Sequence, residues 1–190
     1  PLPRSSSPEE QERKRLQQAC ETAAALYQKT LREAPEAARA REYLEKRRVP
    51  SSAVEKFRLG FCSGREIFST KLHPALLARA GLASRSWDAG QLDRMRGRLV
   101  FPIMDDAGRV TGFGGRALDE SQQPKYLNTP ETVVFRKGRT FYGLDLARRH
   151  IAETGMAIVV EGYTDVIGLA QHGIPNAVAA LGTALTEQHV

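Results

Sequence analysis

The chain has 190 residues, a net charge of +6 and an isoelectric point near 9.6. Its 28 lysines and arginines are interleaved with 22 acidic residues, which excludes a disordered basic tail. A polyanion would instead bind to a folded basic surface, and nucleic acid is the leading candidate for that polyanion. Cys20 and Cys62 lie far apart and the histidines are isolated, so zinc-ligand spacing is absent. No apolar run approaches the roughly 20 residues of a membrane helix, and no signal-peptide core is present. We therefore expect a reduced, cytoplasmic protein without zinc.

Helix signals dominate the first 82 residues. Ser7 and Glu10 flank a proline as a capping box does, and the apolar residues that follow repeat at spacings of three and four. Gly81 is placed to end the last helix of this part. The predicted helices span about 8–31, 35–48, 51–57 and 73–82.

The pattern changes to β structure between residues 97 and 115. Two β-rich runs are joined by a turn in which Gly108 can take the positive φ that a tight hairpin requires. Gly112, Gly114 and Gly115 lack the spacing of a phosphate loop and lie inside a strand pattern. They predict bulges or close backbone approach, and Phe101 is predicted to belong to the core.

The last part of the chain alternates strands and helices. The predicted elements are a helix at 143–154, a buried strand at 156–160, a helix at 164–172, a strand at 176–180 and a helix capped by Thr186. Strands in such an order are expected to be parallel and covered by helices.

Two carboxylates follow the predicted strand at 156–160. Glu161 takes the C-terminal strand end, where functional groups of parallel sheets collect, and Gly162 permits the sharp turn. Thr164 is expected to cap the next helix and to place Asp165 in its first turn, so that the two acids could bind hydrated Mg²⁺. On the spacing alone, the favoured interpretation is that Asp165 complements the helix dipole while Glu161 faces water.

Several blocks of the sequence resemble, in order, the RNA polymerase core of bacterial replicative DNA primases of the DnaG type. They are DRMRGRLVFPIMDDAGRVTGFGGRAL, PKYLNTPET, FRKGRTFYGLDLARR and EGYTDVIGLAQHGIPNAVAALGTALTEQH, the last of which resembles the start of a Toprim domain. Met95 stands where that family usually has Phe, a difference that affects packing more than chemistry.

This resemblance implies an α/β fold in two parts. Residues 1–136 would form an N-terminal helical and antiparallel (α+β) subdomain, and residues 137–190 the first half of a parallel Toprim-type fold. No N-terminal zinc-binding domain, downstream Asp-x-Asp carboxylates or C-terminal helicase-binding domain is found in the 190 residues. We therefore expect a primase fragment that binds single-stranded DNA and makes no primers alone.

The resemblance also implies a chemistry and its residues. A primase joins ribonucleoside triphosphates on a single-stranded DNA template by metal-dependent nucleotidyl transfer. Glu161 would be a catalytic residue that acts as a metal ligand or as a general base next to the metal. Asp165 would help Glu161 to bind the metal ion, which is expected to be Mg²⁺ or Mn²⁺. The replicative helicase would bind through a region outside this chain.

Basic and polar residues of the same blocks are candidates for holding template and nucleotide. They are Arg94, Arg96, Arg98, Arg116, Lys125, Tyr126, Asn128, Lys137 and Arg139. In contrast, Arg13, Lys14, Arg15, Arg47 and Arg48 are predicted to lie on solvated helix faces, and Trp87 in the core.

Two other classes of protein stay open from the sequence. Another Toprim enzyme, such as a topoisomerase or nuclease, would share the acidic strand end but not the PKYLN and KGRxxYG blocks. A non-catalytic DNA-binding scaffold would share the basic blocks. A continuation of the parent sequence with Asp-x-Asp would separate a polymerase from a scaffold.

Overall fold

The computed structural model describes residues 7–64, 66–83 and 93–182, so the predictions for Trp87 and Thr186 lie outside it. The helices of the described ranges are α1 (Pro8–Glu33), α2 (Ala38–Lys46), α3 (Ser51–Lys56), α4 (Pro74–Arg79), α5 (Leu144–Thr154) and α6 (Tyr163–Gln171). The strands are β1 (Gly60–Cys62), β2 (Arg98–Met104), β3 (Val110–Ala117), β4 (Tyr126–Asn128), β5 (Phe141–Tyr142), β6 (Ile158–Val160) and β7 (Ala177–Ala180). Within these ranges, no helix is both long and apolar enough to cross a bilayer.

The capping box at the start of α1 is confirmed. The Ser7 hydroxyl accepts a hydrogen bond from the Glu10 N–H at 3.2 Å, and the Glu10 carboxylate accepts one from the Ser7 N–H at 3.1 Å. The apolar stripe of α1 is buried against β1, β3 and α4. The predicted helix at 35–48 is shorter, because Pro35–Ala37 form a 3₁₀ turn before α2 begins.

The predicted hairpin is confirmed as part of a four-stranded antiparallel sheet in the order β1-β2-β3-β4. Gly108 in its turn has a φ of +75°. Side chains pack directly on the backbone of the β3 glycines, which confirms the predicted close approach. The ladder shifts register between Ile103 and Met104, and the residue of β3 left without a partner there is Thr111, next to Gly112. A Cβ atom on Gly114 would lie only 2.3 Å from the Tyr163 ring.

The second sheet has the order β5-β7-β6, and β6 and β7 are parallel as predicted. The antiparallel pairing of β5 with β7 was not predicted. The prediction of a buried strand at 156–160 was wrong, because the strand is Ile158–Val160 and Met156 and Val159 are 57 % and 44 % exposed. The reason is position, since β7 lies between two strands and is buried, whereas β6 pairs only with β7 in the described residues.

One apolar cluster joins the two parts of the chain. Phe57 and Phe101 from the first part pack in it with Tyr142, Tyr163 and Ile167 from the second. Phe101 is fully buried, which confirms its predicted place in the core. The boundary at residues 136 and 137 stays a prediction, but the mixed α/β class is confirmed.

Candidate nucleic-acid interface and acidic strand end

Glu161 and Asp165 flank the junction of β6 and α6. Glu161 directly follows β6 and is exposed, and Gly162 is the N-cap residue of α6. The Asp165 carboxylate accepts a hydrogen bond from the Gly162 N–H at 3.1 Å. Asp165 therefore caps the helix, and the prediction that Thr164 does so was wrong, because a carboxylate in the first turn reaches back to the open N–H group.

The donor set at this junction fits a hard divalent cation. Glu161 and Asp165 are both exposed, and the bond to Gly162 occupies only one oxygen of Asp165. Carboxylate oxygens beside open solvent suit Mg²⁺, which keeps several of its waters and takes one or two carboxylates from a protein. These two residues are therefore the candidate ligands for such an ion.

Tyr163, the first residue of α6, is a site residue that sequence reasoning missed. Its ring is 7 % exposed and stacks on Phe101 with centroids 4.9 Å apart, while Tyr142 meets it edge-on at 4.8 Å. Its hydroxyl donates a hydrogen bond to Asn128 Oδ1 at 2.5 Å, and burial raises the pKa of this phenol. The available signal was an aromatic residue at the strand-to-helix junction, two positions after Glu161.

Asn128 ties β4 to the second sheet. Besides accepting from Tyr163, it donates from Nδ2 to the Leu181 carbonyl at 3.1 Å, just beyond the end of β7. Both ends of its amide are thus used within the fold. The outer strand of the antiparallel sheet is thereby held beside the acidic strand end.

Two further predicted residues continue from this point along the surface. Tyr126 is 43 % exposed, and its ring centroid lies 6.5 Å from that of Tyr163. Arg116 donates from Nη1 to the Tyr126 hydroxyl at 2.5 Å, with its guanidinium carbon 5.4 Å from the same ring. The structure thus brings Arg116, Tyr126 and Asn128 into one row that leads to Tyr163 and the neighbouring Glu161.

Arg96 and Lys125 are exposed beside this row. Arg116 and Lys125 line a cavity of about 550 Å³, and Arg96 lines an adjoining one of about 430 Å³. The two cavities share Arg39 and the loop at 118–122. Together they form a surface next to the aromatic row, called the basic surface below, on which five basic side chains lie among four acidic ones. The acidic residues are Glu36, Glu42, Asp119 and Glu120.

Arg98 does not belong to this surface. It is 2 % exposed, and its Nη1 donates weakly to the carbonyls of Gly115 and Lys125, at 3.5 Å and 3.4 Å. Burial lowers the pKa of the guanidinium. The expectation of direct nucleic-acid contact is corrected for Arg98, because its donors face β3 and the residue before β4.

The remaining predicted residues lie elsewhere. Arg94 is half-buried and lines a separate cavity with Arg79, and Lys137 is half-buried with its N–H bonded to Glu131. Arg139 lines a third cavity with Arg13. Arg13 is not simply solvated as predicted, because it also donates to the Val133 carbonyl at 3.1 Å.

One group of three metal-ligand side chains occurs in the described ranges, formed by Cys62, Glu66 and Asp93. Its atoms are engaged in hydrogen bonds, from Tyr27 to Asp93 at 2.6 Å and from the Cys62 thiol to Glu66 at 3.7 Å. Burial raises the pKa of the Cys62 thiol, which keeps it protonated and a poor ligand. We interpret the group as a hydrogen-bond network that stabilises the fold. The sequence did not predict it, because its members are far apart along the chain.

A row of basic and aromatic side chains beside an acidic strand end is typical of a nucleic-acid-processing protein, and comparison with known proteins makes the class specific. Residues 26–148 match the family "DNA primase catalytic core, N-terminal domain", and residues 155–190 match the Toprim domain, a fold that generally binds metal. The chain belongs to this primase family. The match of the upstream residues argues against the topoisomerase and nuclease alternatives.

Individual relatives agree with the family assignment. A DNA primase of Synechococcus elongatus is 46 % identical over 187 residues, a match that covers 94 % of this chain and 27 % of that protein. The RNA polymerase domain of Mycobacterium tuberculosis primase DnaG, in complex with an overhanging double-stranded DNA oligomer, superposes with a TM-score of 0.87 at 40 % identity, covering 93 % of this chain and 57 % of that one. A DnaG primase catalytic domain bound to single-stranded DNA gives 0.85 at 42 %, covering 94 % and 57 %. This chain thus spans about a quarter of the length of the first curated relative.

Proposed function

We propose that this chain supplies the template-binding surface and the first metal-binding carboxylates of a DNA primase, a DNA-templated RNA polymerase that makes short primers. The observation that carries the proposal is the position of Tyr163. It follows Glu161 by two residues, bonds to Asn128 and lies next to Tyr126. The basic and aromatic surface therefore leads directly to the acidic strand end.

The surface has the chemistry that single-stranded nucleic acid requires. Arg96, Arg116 and Lys125 are available to contact phosphates, and the exposed ring of Tyr126 can stack on a base. Stacking of this kind contributes roughly 1–3 kcal/mol per base and is tolerant of sequence. The similarity to a primase domain that binds single-stranded DNA supports the same substrate here.

Glu161 and Asp165 would hold Mg²⁺ or Mn²⁺ in the complete enzyme. When bound, the ion neutralises charge that develops on the phosphates as pyrophosphate leaves. Glu161 keeps its charge exposed at the strand end, and Asp165 orders the turn at Gly162 while retaining a free oxygen. Ribonucleoside triphosphates would be the substrates of the whole protein, and the replicative helicase its partner in the bacterial cytoplasm.

Binding of fluorescein-labelled oligo-dT to the 190-residue chain, followed by anisotropy, tests the surface. Reversing Arg96 and Lys125 together to Glu is expected to abolish binding at low salt. The matched control reverses Arg15 and Lys71, which are also exposed but lie near α4. Unchanged affinity in the first variant, or equal losses in both, would show that this surface does not bind the strand.

A further inference from the structure

Tyr43 on α2 lies at the centre of a stack of aromatic rings and guanidinium groups. The guanidinium carbon of Arg116 lies 4.3 Å from the centroid of the Tyr43 ring, and that of Arg47 lies 5.5 Å from it. Arg116 in turn lies against Tyr126, which makes the order Arg47, Tyr43, Arg116, Tyr126. Helix α2 is thereby joined to the outer edge of the antiparallel sheet through side chains that are 73 residues apart in sequence.

The Tyr43 ring allows two like charges to lie close together. Arg47 and Arg116 repel each other, but each lies within the roughly 6 Å at which the electron-rich face of an aromatic ring attracts a cation. Glu42, Asp119 and Glu120 line the same cavity, and Asp119 pairs with Arg39 at 3.7 Å. The positive charge of Arg116 thus lies beside both the Tyr43 ring and these acids.

Stacking also leaves hydrogen-bond donors of Arg116 unused. A guanidinium has five N–H donors in a fixed plane, and the bond to Tyr126 uses one of them. The Nε atom of Arg116 is buried and has no hydrogen-bond partner within the described part of the chain, so a bound strand would be met by the Nη groups instead. The ring therefore fixes the plane of the guanidinium without consuming the Nη donors that a phosphate oxygen would accept.

We propose that Tyr43 is a positioning residue of the single-strand interface, whose ring orients Arg116 so that its free donors meet a backbone phosphate of the bound strand. This inference rests on the function proposed above and adds a residue of α2 to it. Tyr43 acts on the strand through Arg116. A direct base contact by Tyr43 is the competing arrangement, and the two differ in how binding responds to salt.

The test measures oligo-dT affinity of the 190-residue chain by anisotropy over a series of salt concentrations. A phosphate contact to single-stranded nucleic acid contributes about 0.7 to the slope of log affinity against log salt concentration. Arg116→Gln is expected to weaken binding about tenfold at low salt and to reduce the slope by about that amount. Tyr43→Leu is expected to reproduce both changes, and adding it to Arg116→Gln is expected to produce no further loss.

Two controls separate the ring from other effects. Tyr43→Phe keeps the ring and is expected to bind within about twofold of the unmodified chain. Arg109→Gln removes an exposed arginine near the opposite end of β3 and is expected to leave the slope unchanged. A partial loss of folded protein lowers the apparent amount of binder without altering the slope.

The outcomes are distinct. A Tyr43→Leu variant that loses affinity with an unchanged slope, additively with Arg116→Gln, would overturn the proposal in favour of direct stacking. Normal binding by Tyr43→Leu beside weakened Arg116→Gln would overturn it while leaving the proposed function intact. An Arg116→Gln variant that binds normally would overturn the positioning role of Tyr43 and also the proposed contact of Arg116 with the strand.

Discussion

Asp93 is a buried carboxylate whose ionisation is opposed by the fold. It is 2 % exposed, and it accepts hydrogen bonds from the Tyr27 hydroxyl at 2.6 Å and from the Met95 N–H at 2.8 Å. Burial outweighs these bonds and, with Glu66 nearby, raises its pKa from 3.8 to about 6. Asp93 thus orders the turn at residues 93–95, just before β2, at an electrostatic cost near neutral pH.

The first prediction concerns the pH dependence of this cost. Because the folded protein holds the Asp93 proton more tightly than the unfolded chain does, stability is lost as pH rises from about 4 through 6. A shift of about two pKa units corresponds to roughly 3 kcal/mol. In Asp93→Asn, the amide oxygen can accept from the Met95 N–H while Nδ2 donates to the Tyr27 hydroxyl oxygen. This variant is therefore expected to gain roughly 3 kcal/mol relative to the unmodified chain between pH 4 and pH 7, measured by urea unfolding.

Asp106→Asn, at an exposed acid of the hairpin turn, is the control for that comparison. It is expected to follow the unmodified chain across the pH range. A constant difference between Asp93→Asn and the unmodified chain from pH 4 to pH 7 would show that Asp93 titrates alike in the folded and unfolded states.

A second prediction at this scale concerns Glu161. In a primase that contains this chain, Glu161→Gln preserves size but removes the charge that would hold the metal. Template-directed primer synthesis is expected to fall roughly 10²–10⁴-fold while oligo-dT binding stays within twofold, because Glu161 is exposed and outside the basic surface. Glu153→Gln is the control on an exposed helix site, and normal synthesis by Glu161→Gln would remove this residue from the mechanism.

At the scale of elements, the contact of β3 with α6 depends on a missing side chain. A Cβ atom on Gly114 would lie 2.3–2.6 Å from the hydroxyl oxygen and two ring carbons of Tyr163. The ring cannot move aside freely, since Phe101 and Tyr142 enclose it. Gly114 therefore sets how closely the antiparallel sheet approaches the acidic strand end.

We accordingly predict that Gly114→Ala destabilises the fold by about 1–3 kcal/mol and weakens oligo-dT binding, because Tyr163 is displaced from Asn128. Urea unfolding and anisotropy measure the two effects. Gly168→Ala in α6 is the matched control, since a Cβ there would contact nothing within 4 Å and a helix favours alanine. Equal stability of the two variants would contradict this packing.

At the scale of the whole molecule, three exposed apolar side chains of the described residues lie in β6 or in the loops that lead into β6 and β7. Met156, Val159 and Ile174 are exposed to 57 %, 44 % and 37 %, and β6 has an unpaired edge in the described residues. Exposed apolar edges of this kind promote association between chains. The buried strand β7 does not contribute to this exposed surface.

The 190-residue chain is therefore predicted to self-associate in a concentration-dependent way through β6. Val159→Lys, which adds a charge to this edge strand, is expected to shift the chain towards monomer in sedimentation experiments. Val133→Lys, at a loop residue that is 53 % exposed, is the control and is expected to have no effect. A monomer at all concentrations before any substitution would contradict the prediction.

Local chemistry made much of this molecule predictable from its sequence. The capping box at Ser7, the positive φ of Gly108 and the alternation of strands and helices depend on neighbouring residues, so short patterns predicted them. Sequence blocks in family order likewise predicted the primase family and the acidic strand end. The structural features among them agree with the structure because each depends on contacts within one turn or between two consecutive elements.

Only the tertiary structure decided which predicted residues share a surface. Arg98 and Arg116 were both predicted from the sequence to bind nucleic acid. In the structure Arg98 is buried in the sheet, whereas Arg116 stacks on Tyr43, which is 73 residues away in the chain. Asp93 and Tyr163 gained their roles from partners that no local pattern identifies. The physical reason is that burial and side-chain contact are set by the packing of distant elements, and a strand's place at the centre or edge of a sheet follows from the complete pairing order.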